Sequence, residues 1–438
     1  MHLNELNTQR WPATLWLAAL LAPWIAQAAL ASQVQGGAPA SVHHRENFRT
    51  VWHNPVVFIP GDGGSQLEAK LNKTKRVSYI CDLVSDWYDL WLNIHLLGPY
   101  AFDCLIDNMI LTYNSTTRKT QNNEGVQIRA TNFGSLASVA NLDIWSRVPK
   151  TDYFERIIST LEANNNLTRE VDMVGAAYDF RKAPNELEEW FQNLTDLIQT
   201  QYIKSGYRPV TLICHSMGCL NSLYLLNGKT QSWKDVFIKR LITLAAPWDG
   251  SFKAISAMLN GDNLGIPLLN KSKLQALQSS FPSLMYLFPR EPTFTEDRVL
   301  VETREVNYTL KNLDDLFKST GLLDQMEMWH DTRAIANKLG APGVELWCLY
   351  GAGVGTPNRI NAILGEKYEE LMGDGDGTVN LESLRACERF AEHQEQPVFT
   401  RQFDSIDHID ILRSKVPAGF ISYYIFGPDQ LEMDNGRL

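Results

Sequence analysis

Short apolar runs that alternate with stretches of helical periodicity constrain the fold most strongly. Five runs are predicted as buried strands: Pro55–Pro60, Arg208–Cys214, Arg240–Ala246, Val344–Tyr350 and Val398–Phe403. Helical patterns lie between them, at Tyr153–Ala163, Glu186–Ile203 and Leu220–Leu226. Such alternation is typical of a parallel sheet with helices on both faces. The sequence therefore predicts an α/β fold with a mostly parallel central sheet.

The composition of the chain is that of a globular protein with a large core. It has 438 residues, of which 44% are hydrophobic and 10% aromatic, so an overall disordered chain is excluded. The length allows one α/β core with insertions. The formal net charge is −10 and there is no long basic run, which argues against nucleic acid as a partner.

Residues 1–31 have the layout of a signal peptide. Arg10 precedes the apolar stretch Trp11–Ile25, and small residues follow with cleavage sites after Ala28 or Ala31. A signal anchor is the alternative, although the stretch is short and interrupted by prolines. Sequons begin at Asn72, Asn114, Asn166, Asn193, Asn270 and Asn307. Together these signals predict a glycosylated protein of the secretory pathway.

The six cysteines divide into two groups. Cys214 and Cys219 flank Ser216 on a predicted strand and helix, where small buried thiols pack well. The remaining cysteines form the pairs Cys81–Cys104 and Cys348–Cys387, although spacing alone leaves the connectivity open. In the chain-entropy model each such disulfide contributes on the order of 3 kcal/mol of stability.

The stretch VTLICHSMGCLNSLYLL, Val210–Leu226, contains a serine between a strand pattern and a helical pattern. A sharp strand-to-helix turn of this kind exposes a serine oxygen for attack on a carbonyl carbon. The motif G-x-S-x-G is incomplete, because Cys214 occupies the position of its first glycine. Ser216 is therefore the candidate nucleophile, and a helix N-cap is the alternative role.

A base and an acid are expected after the nucleophile in this chain order. Of the later histidines, His330 lies in a long insertion and His393 lies in a charged segment. His408 follows the last predicted strand and precedes a short helical pattern, so it is the candidate base. The glycine-rich run GDGDGTVN contains the candidate acid, Asp376, with Asp374 as the second choice.

The same arrangement needs amide donors for a developing oxyanion. The N–H of Met217, directly after the nucleophile, is one candidate. The turn PGDGG after the first strand offers the other, through the main chain of Asp62. Glycines in that turn allow the backbone to approach a substrate closely. The run GDGDGTVN lacks the glutamate of a calcium loop, and no metal site is predicted.

Several sequence blocks together resemble the lecithin:cholesterol acyltransferase family, and within it the branch of lysosomal phospholipases A2. These blocks are PGDGGSQLEAKL, CHSMG, APWDG, CLYGAGVGTP and GDGDGTVNL. The likeness extends from about Asn54 to the C-terminal helix and implies an α/β-hydrolase core. It assigns the triad to Ser216, Asp376 and His408, and it assigns the oxyanion amides to Asp62 and Met217. It also matches both disulfide pairs. Gly63 and Cys214 depart from the usual Leu and Ala of the family.

The resemblance implies a serine phospholipase A and O-acyltransferase. Such an enzyme cleaves fatty acyl esters of glycerophospholipids through an acyl-enzyme and passes the acyl group to water or to a lipophilic, ceramide-like alcohol. It requires no metal or organic cofactor. The expected partners are a phospholipid membrane or lipoprotein surface and the alcohol acceptor, and the expected enzyme is a monomer in the lysosome or the extracellular space.

Two other functions remain open from the sequence. The plasma-type phosphatidylcholine–sterol O-acyltransferases resemble PGCLG where this chain has PGDGG, and they carry a proline-rich tail. A non-catalytic lipid carrier would share the fold, but we expect it to lack a member of the triad. Asp62 and the short C-terminus without such a tail therefore favour the lysosomal type over the plasma type, and the complete triad argues against a carrier.

The expected domain organisation follows from the same blocks. A signal peptide (1–31) and an N-terminal segment (32–53) precede an α/β-hydrolase core made of 54–75, 130–250 and 341–438. A disulfide-bounded membrane-binding subdomain occupies 76–112, and a cap or lid insertion occupies 251–340. In the subdomain, apolar residues fall at helical spacing and predict a lipid-facing stripe, with a core-facing stripe as the alternative: Trp87, Leu90, Trp91, Ile94 and Leu97.

Overall fold

Strands and helices alternate along the described part of the chain, which is residues 54–143, 151–263, 269–362 and 369–427 of a computed structural model. The strands are β1 (Val56–Ile59), β2 (Leu67–Asn72), β3 (Val84–Trp91), β4 (Leu111–Asn114), β5 (Lys119–Asn122), β6 (Val126–Ala130), β7 (Met173–Gly175), β8 (Val210–His215), β9 (Ile238–Leu244), β10 (Val301–Glu302), β11 (Asn307–Tyr308), β12 (Leu346–Ala352), β13 (Thr356–Asn361), β14 (Glu369–Gly373) and β15 (Val398–Asp404). The predicted signal peptide and N-terminal segment lie outside the described residues.

The helices are α1 (Phe102–Met109), α2 (Ala137–Ala140), α3 (Glu155–Asn165), α4 (Glu188–Lys204), α5 (Met217–Asn227), α6 (Gln231–Phe237), α7 (Phe252–Asn260), α8 (Lys271–Ser279), α9 (Pro282–Tyr286), α10 (Leu313–Thr320), α11 (Leu323–Ala336), α12 (Leu381–Leu384), α13 (Asp410–Arg413) and α14 (Lys415–Phe420). Short 3₁₀ helices occur at Ile94–Leu97, Pro184–Glu186, Leu310–Asn312 and Arg385–Glu392, and a π-helix occurs at Ile421–Ile425. None of the described helices is long and apolar enough to cross a membrane.

A six-stranded sheet in the order β15-β12-β9-β8-β1-β7 forms the centre of the fold. Every neighbouring pair in it is parallel. The five strands that the sequence predicts all belong to this sheet, so the predicted α/β fold is confirmed. The sixth strand, β7, has only three residues, which is too short for a periodic pattern to reveal.

The two faces of the sheet carry separate hydrophobic clusters because side chains alternate along each strand. In β1, Val57 and Ile59 pack into the larger cluster, whereas Val56 and Phe58 pack into the other. All four residues of β1 are fully buried. Burial on both faces explains why the central strands are continuous apolar runs rather than alternating ones.

Helices cover both faces, and their ends follow ordinary capping chemistry. Helix α4 begins with Glu188 and Glu189 and has Lys204 in its last turn, an arrangement that complements the helix dipole. Helix α3 ends at Asn166, which has a left-handed backbone with φ of 55°. The first and last residues of α3 and α4 lie within a few residues of the boundaries predicted from periodicity.

The disulfide-bounded region 76–112 differs from its prediction. The interpretation of Trp87–Leu97 as one helical stripe is wrong, because β3 is a strand that pairs antiparallel with β2. A three-stranded sheet in the order β3-β2-β6 forms here. Of the predicted stripe Trp87–Leu97, only Ile94–Leu97 is helical, as a short 3₁₀ turn. The tryptophans, tyrosine and valine of this segment suit a strand, and pairing with β2 decided between the two periodicities.

The region 251–340 is mainly helical. It contains α7 to α11 and the short strands β10 and β11. Those two strands join β13 and β14, which come later in the chain, in a four-stranded sheet of order β11-β10-β13-β14. The assignment of 251–340 as a cap stays a prediction.

All six cysteines are paired in disulfides. Cys81 pairs with Cys104 and Cys348 with Cys387, as the sequence predicts. Cys214 and Cys219 also form a disulfide, with Cα atoms 5.0 Å apart, so the expectation of two buried thiols is wrong. The physical reason is the sharp turn between β8 and α5, which brings the two Cα atoms within the range that a disulfide spans.

We expect alkylation to distinguish the two descriptions of Cys214 and Cys219. In denaturant without reductant, an iodoacetamide reaction followed by peptide mass spectrometry should modify no cysteine, because each sulfur is already bonded. After reduction the same protein should carry the label on all six. Label at Cys214 and Cys219 before reduction would contradict the third disulfide.

Candidate active site

Ser216 lies at the carboxyl end of β8, where the chain turns sharply into α5. Its backbone has φ of 51° and ψ of −129°, a conformation that is strained for a residue other than glycine. Its side chain makes no capping hydrogen bond to α5, so the N-cap role is not the one that the hydroxyl performs. This sharp strand-to-helix turn has the geometry of the nucleophile elbow of α/β-hydrolases, and we call it the elbow.

Two glycines allow the elbow to pack against the end of β1. A Cβ added to Gly218 would collide with the carbonyl groups of Ile59 and Pro60. One added to Gly61 would come within 2.7 Å of the Cβ of Ser216. The last glycine of the motif is therefore needed for close packing, whereas Cys214 occupies its first position inside the sheet without conflict.

Ser216, His408 and Asp376 form a hydrogen-bonded chain. His408 Nε2 lies 3.0 Å from Ser216 Oγ, and His408 Nδ1 lies 2.8 Å from Asp376 Oδ2. All three residues are buried. An ionised carboxylate only accepts hydrogen bonds, so the proton lies on Nδ1, and Nε2 accepts from the serine hydroxyl.

Backbone amides hold Asp376 in place. Its Oδ1 accepts from the N–H groups of Thr378 at 3.0 Å and Val379 at 2.7 Å. The second candidate acid, Asp374, instead accepts from the N–H of Gly353. The structure thus brings Asp376, and not Asp374, against His408.

The other candidate histidines lie away from this chain. His330 contacts Asp314 at the protein surface, with its Nε2 3.0 Å from the carboxylate. His393 is exposed at the end of the segment Arg385–Glu392. Chain order alone leaves three histidines, and the fold brings only His408 beside Ser216.

The turn Gly61–Gly64 follows β1 and lies against the elbow, since Gly61 packs on Ser216. The N–H of Gly64 donates to the carbonyl of Gly61 at 3.1 Å, and Gly63 has φ of 67°, as a type II turn requires. That bond does not use the N–H of Asp62. Met217 is the first residue of α5, and the first amides of a helix have no acceptor within it.

The carboxyl group of Asp62 has an unusual environment. The side chain of Asp62 has accessible surface, and it faces a cavity in the protein. The surrounding protein removes most of the water around the carboxyl group, and this burial raises the pKa of Asp62 to about 7. The N–H of Gly63 opposes the rise, the charge of Asp262 adds to it, and His408 lowers it. Asp262 itself contacts Lys253 at 3.0 Å.

The cavity lies over Ser216 and has a volume of about 370 Å³. Its wall is mainly apolar, as a site for acyl chains requires: Trp91, Met109, Phe180, Leu277, Phe281 and Leu284. Of these residues, only Trp91 is predicted from the sequence, as a lipid-facing residue. The others come from distant segments, and in sequence they look like ordinary core residues. Tyr153 and His215 also line the cavity. No sequence motif marks Tyr153, and His215 lies in the block CHSMG without a role assigned to it from the sequence.

The predicted lipid-facing residues are not all at the surface. Leu90 is fully buried, and the indole Nε1–H of Trp91 donates to the carbonyl of Gly63 at 2.8 Å. Arg129 covers the ring of Trp87, 4.0 Å from its centroid. Ile94 and Leu97 are half-buried.

Other apolar side chains of the same region are exposed, and none of them is predicted from periodicity. They lie in the two segments that the Cys81–Cys104 disulfide joins. We call them the exposed apolar patch: Val77 (56% exposed), Tyr79 (87%), Ile80 (42%), Val84 (70%) and Tyr100 (84%).

The sequon asparagines all have accessible surface. Asn114 is half-buried, and the others are exposed: Asn72, Asn166, Asn193, Asn270 and Asn307. Within the described residues, no group of three or more His, Cys, Asp and Glu side chains is arranged to hold a metal ion.

Comparison with known proteins gives a consistent result. A family model described as lecithin:cholesterol acyltransferase matches residues 87–335 and 323–415. Lysosomal phospholipase A and acyltransferase is 40% identical in Rattus norvegicus, over 84% of this chain and 89% of the relative. The Homo sapiens protein of that name is 38% identical over 86% and 91%. Human phosphatidylcholine-sterol acyltransferase is 35% identical over 85% of each chain. This chain belongs to the lecithin:cholesterol acyltransferase family.

Proposed function

We propose that the protein is a serine phospholipase A and O-acyltransferase that cleaves fatty acyl esters of glycerophospholipids. The observation that carries the proposal is the hydrogen-bonded chain from Asp376 through His408 to Ser216, at an elbow below an apolar cavity. Relatives named lysosomal phospholipase A and acyltransferase, at 38% and 40% identity, support it. The enzyme acts on lipid substrates.

In the first step, Ser216 Oγ attacks the ester carbonyl carbon while its proton moves to His408 Nε2. Asp376 keeps the ring in the required tautomer and stabilises the positive charge that forms on it. The N–H groups of Asp62 and Met217 bind the oxyanion, and a preorganised donor of this kind is worth roughly 3 kcal/mol.

In the second step, the tetrahedral intermediate collapses and the bond to the lysolipid oxygen breaks. His408 gives its proton to that oxygen, and the acyl group remains on Ser216. Water or a lipophilic, ceramide-like alcohol then attacks the acyl-enzyme, with His408 again as the base. An apolar wall of tryptophan, phenylalanine and leucine side chains suits the long chains of such an acceptor. The steps use the chain's own residues and no cofactor.

The plasma-type phosphatidylcholine–sterol acyltransferase is the nearest alternative function. The human protein of that name is 35% identical to this chain, against 38% for human lysosomal phospholipase A and acyltransferase. Asp62 in the turn Gly61–Gly64 favours the lysosomal type, as its raised pKa suits an acidic compartment. We propose a monomer that acts in the lysosome or the extracellular space.

The exposed apolar patch is the proposed contact with a phospholipid membrane or lipoprotein surface. Its tyrosines have an apolar ring and a polar hydroxyl, which suits the boundary between lipid and water. Trp91 is a weaker candidate for this contact, because it lines the cavity and donates to Gly63. The disulfide subdomain therefore keeps its proposed role, with different residues at the lipid surface.

Replacing Ser216 with Ala should lower kcat by roughly a thousandfold or more, because no acyl-enzyme can form. The assay is incubation with phospholipid liposomes, with and without a long-chain alcohol, and quantification of fatty acid and acyl ester. Ser222→Ala is the matched control, since Ser222 is a buried serine on α5 that donates to the carbonyl of Gly218. Turnover by Ser216→Ala at the rate of Ser222→Ala would refute the proposed nucleophile.

The pH profile of hydrolysis should depend on Asp62. Its pKa is raised to about 7, so the group is neutral in acid and gains a negative charge as the pH rises through neutrality. Two negative charges about 5 Å apart at an effective dielectric of 20 repel by roughly 3 kcal/mol. Water in the cavity screens part of this repulsion, so ionisation should slow oxyanion formation by roughly tenfold to a hundredfold.

Activity should therefore peak on the acid side of neutrality, since His408 must also be neutral to act as base. Asp62→Asn keeps the shape and cannot ionise, so its optimum should move toward neutral pH. Glu68→Gln is the control, because that carboxylate pairs with Arg129 at the surface. An acid optimum that stays in place in Asp62→Asn would contradict the role of Asp62.

The double substitution Tyr79→Ser with Tyr100→Ser should weaken binding to anionic phospholipid vesicles in a sedimentation assay, because it removes two exposed rings from the patch. Hydrolysis of a soluble short-chain ester should stay unchanged. Tyr207→Ser with Tyr423→Ser is the matched control, since those tyrosines are exposed outside the patch. Equal vesicle binding by the two double variants would reject the patch.

A further inference from the structure

A second hydrogen-bonded chain lies beside the first and contains Tyr153 and His215. The N–H of Gly61 lies 3.0 Å from the hydroxyl oxygen of Tyr153. That oxygen lies 2.5 Å from Nδ1 of His215, and Nε2 of His215 lies 2.9 Å from the main-chain carbonyl of His408. Tyr153 and His215 are both almost completely buried.

The donor and the acceptor of each hydrogen bond in this chain follow from the groups at its two ends, the N–H of Gly61 and the carbonyl of His408. An amide N–H can only donate and a carbonyl can only accept. The Tyr153 oxygen therefore accepts from Gly61, and His215 Nε2 carries a proton that it donates to His408. A neutral imidazole has one proton, so Nδ1 of His215 accepts from the hydroxyl of Tyr153.

Burial keeps both side chains in these states. It holds the pKa of His215 well below its usual range, with a further contribution from the charge of His408. Burial also raises the pKa of the Tyr153 hydroxyl. The ring centroids of His215 and His408 are 4.7 Å apart, so a charge on His215 would oppose the charge that His408 gains during the reaction.

This chain connects the three parts of the site. Gly61 begins the turn that contains Asp62, the proposed oxyanion donor. His215 directly precedes Ser216, and His408 is the proposed base. The packing around the chain is tight, because a Cβ on Gly64 would come within 2.5 Å of the Tyr153 ring. The backbone N–H of His408 also donates to the carbonyl of Asp376 at 2.8 Å, so the main chain of His408 is held on both sides.

We infer that Tyr153 and His215 are positioning residues. They hold the turn Gly61–Gly64 and the loop that carries His408 in fixed positions relative to Ser216. The inference rests on the proposed function, since it assigns to these residues the alignment of the same reaction. They act through Gly61 and His408. Small displacements of catalytic groups reduce turnover strongly, by up to about a hundredfold for a shift of about 1 Å.

Tyr153→Phe tests the inference, because it removes one hydroxyl and keeps the ring. With a soluble short-chain ester, kcat should fall by roughly tenfold to a hundredfold, while KM changes by less than about twofold. The rate of inactivation by a serine-directed phosphonate should fall in parallel, since its oxygen occupies the oxyanion site. Tyr286→Phe is the matched control, as Tyr286 is equally buried and contacts the carbonyl of Leu220 on α5.

A second pair of variants tests the other end of the chain. The amide of Gln reaches the position of a histidine Nε2, so His215→Gln should keep a donor for the carbonyl of His408, whereas His215→Ala keeps none. The expected order of kcat is wild type, His215→Gln, His215→Ala. If Tyr153→Phe does not fold, this order of kcat tests the positioning role: equal kcat in His215→Gln and His215→Ala would contradict it.

The results separate the possible failures. Wild-type kcat in Tyr153→Phe, or an equal loss in Tyr286→Phe, would overturn the positioning role. Unchanged kcat with a raised KM and a lowered unfolding temperature would assign Tyr153 to stability alone and also overturn it. Activity that survives in Ser216→Ala would instead reject the proposed function itself.

Discussion

The contact between the end of β1 and the elbow after β8 is the interaction on which the site depends. Gly61 and Gly218 bring the two backbones together, and a side chain at either position would separate them. This contact brings the turn that contains Asp62 next to Ser216, at the start of α5. The parallel register of β1 and β8 sets the contact, since Ile59 lies opposite Cys214.

Asp376 and His408 are buried next to the hydroxyl of Ser216. Hydrogen bonds offset the free-energy cost of burying these polar groups. Asp376 accepts from two backbone amides and from His408. Asp62 has fewer compensating contacts, so burial raises its pKa instead.

Trp91 connects the disulfide subdomain to the reaction site. It ends β3, lines the cavity and donates its indole N–H to the turn Gly61–Gly64. The exposed apolar patch lies in the same disulfide-joined region. The region that carries the proposed lipid contact therefore also supplies part of the cavity wall.

The sequence by itself determined the central sheet, the elbow and the chain order of nucleophile, acid and base, because strand periodicity and glycine-rich turns are local signals. Tertiary structure decided what depends on distant contacts. It selected Asp376 over Asp374, made a strand of Val84–Trp91 through pairing with β2, and closed a disulfide between Cys214 and Cys219. It also assembled the cavity wall and joined Tyr153 to His215, since only the folded chain brings residues so far apart in sequence within hydrogen-bonding distance.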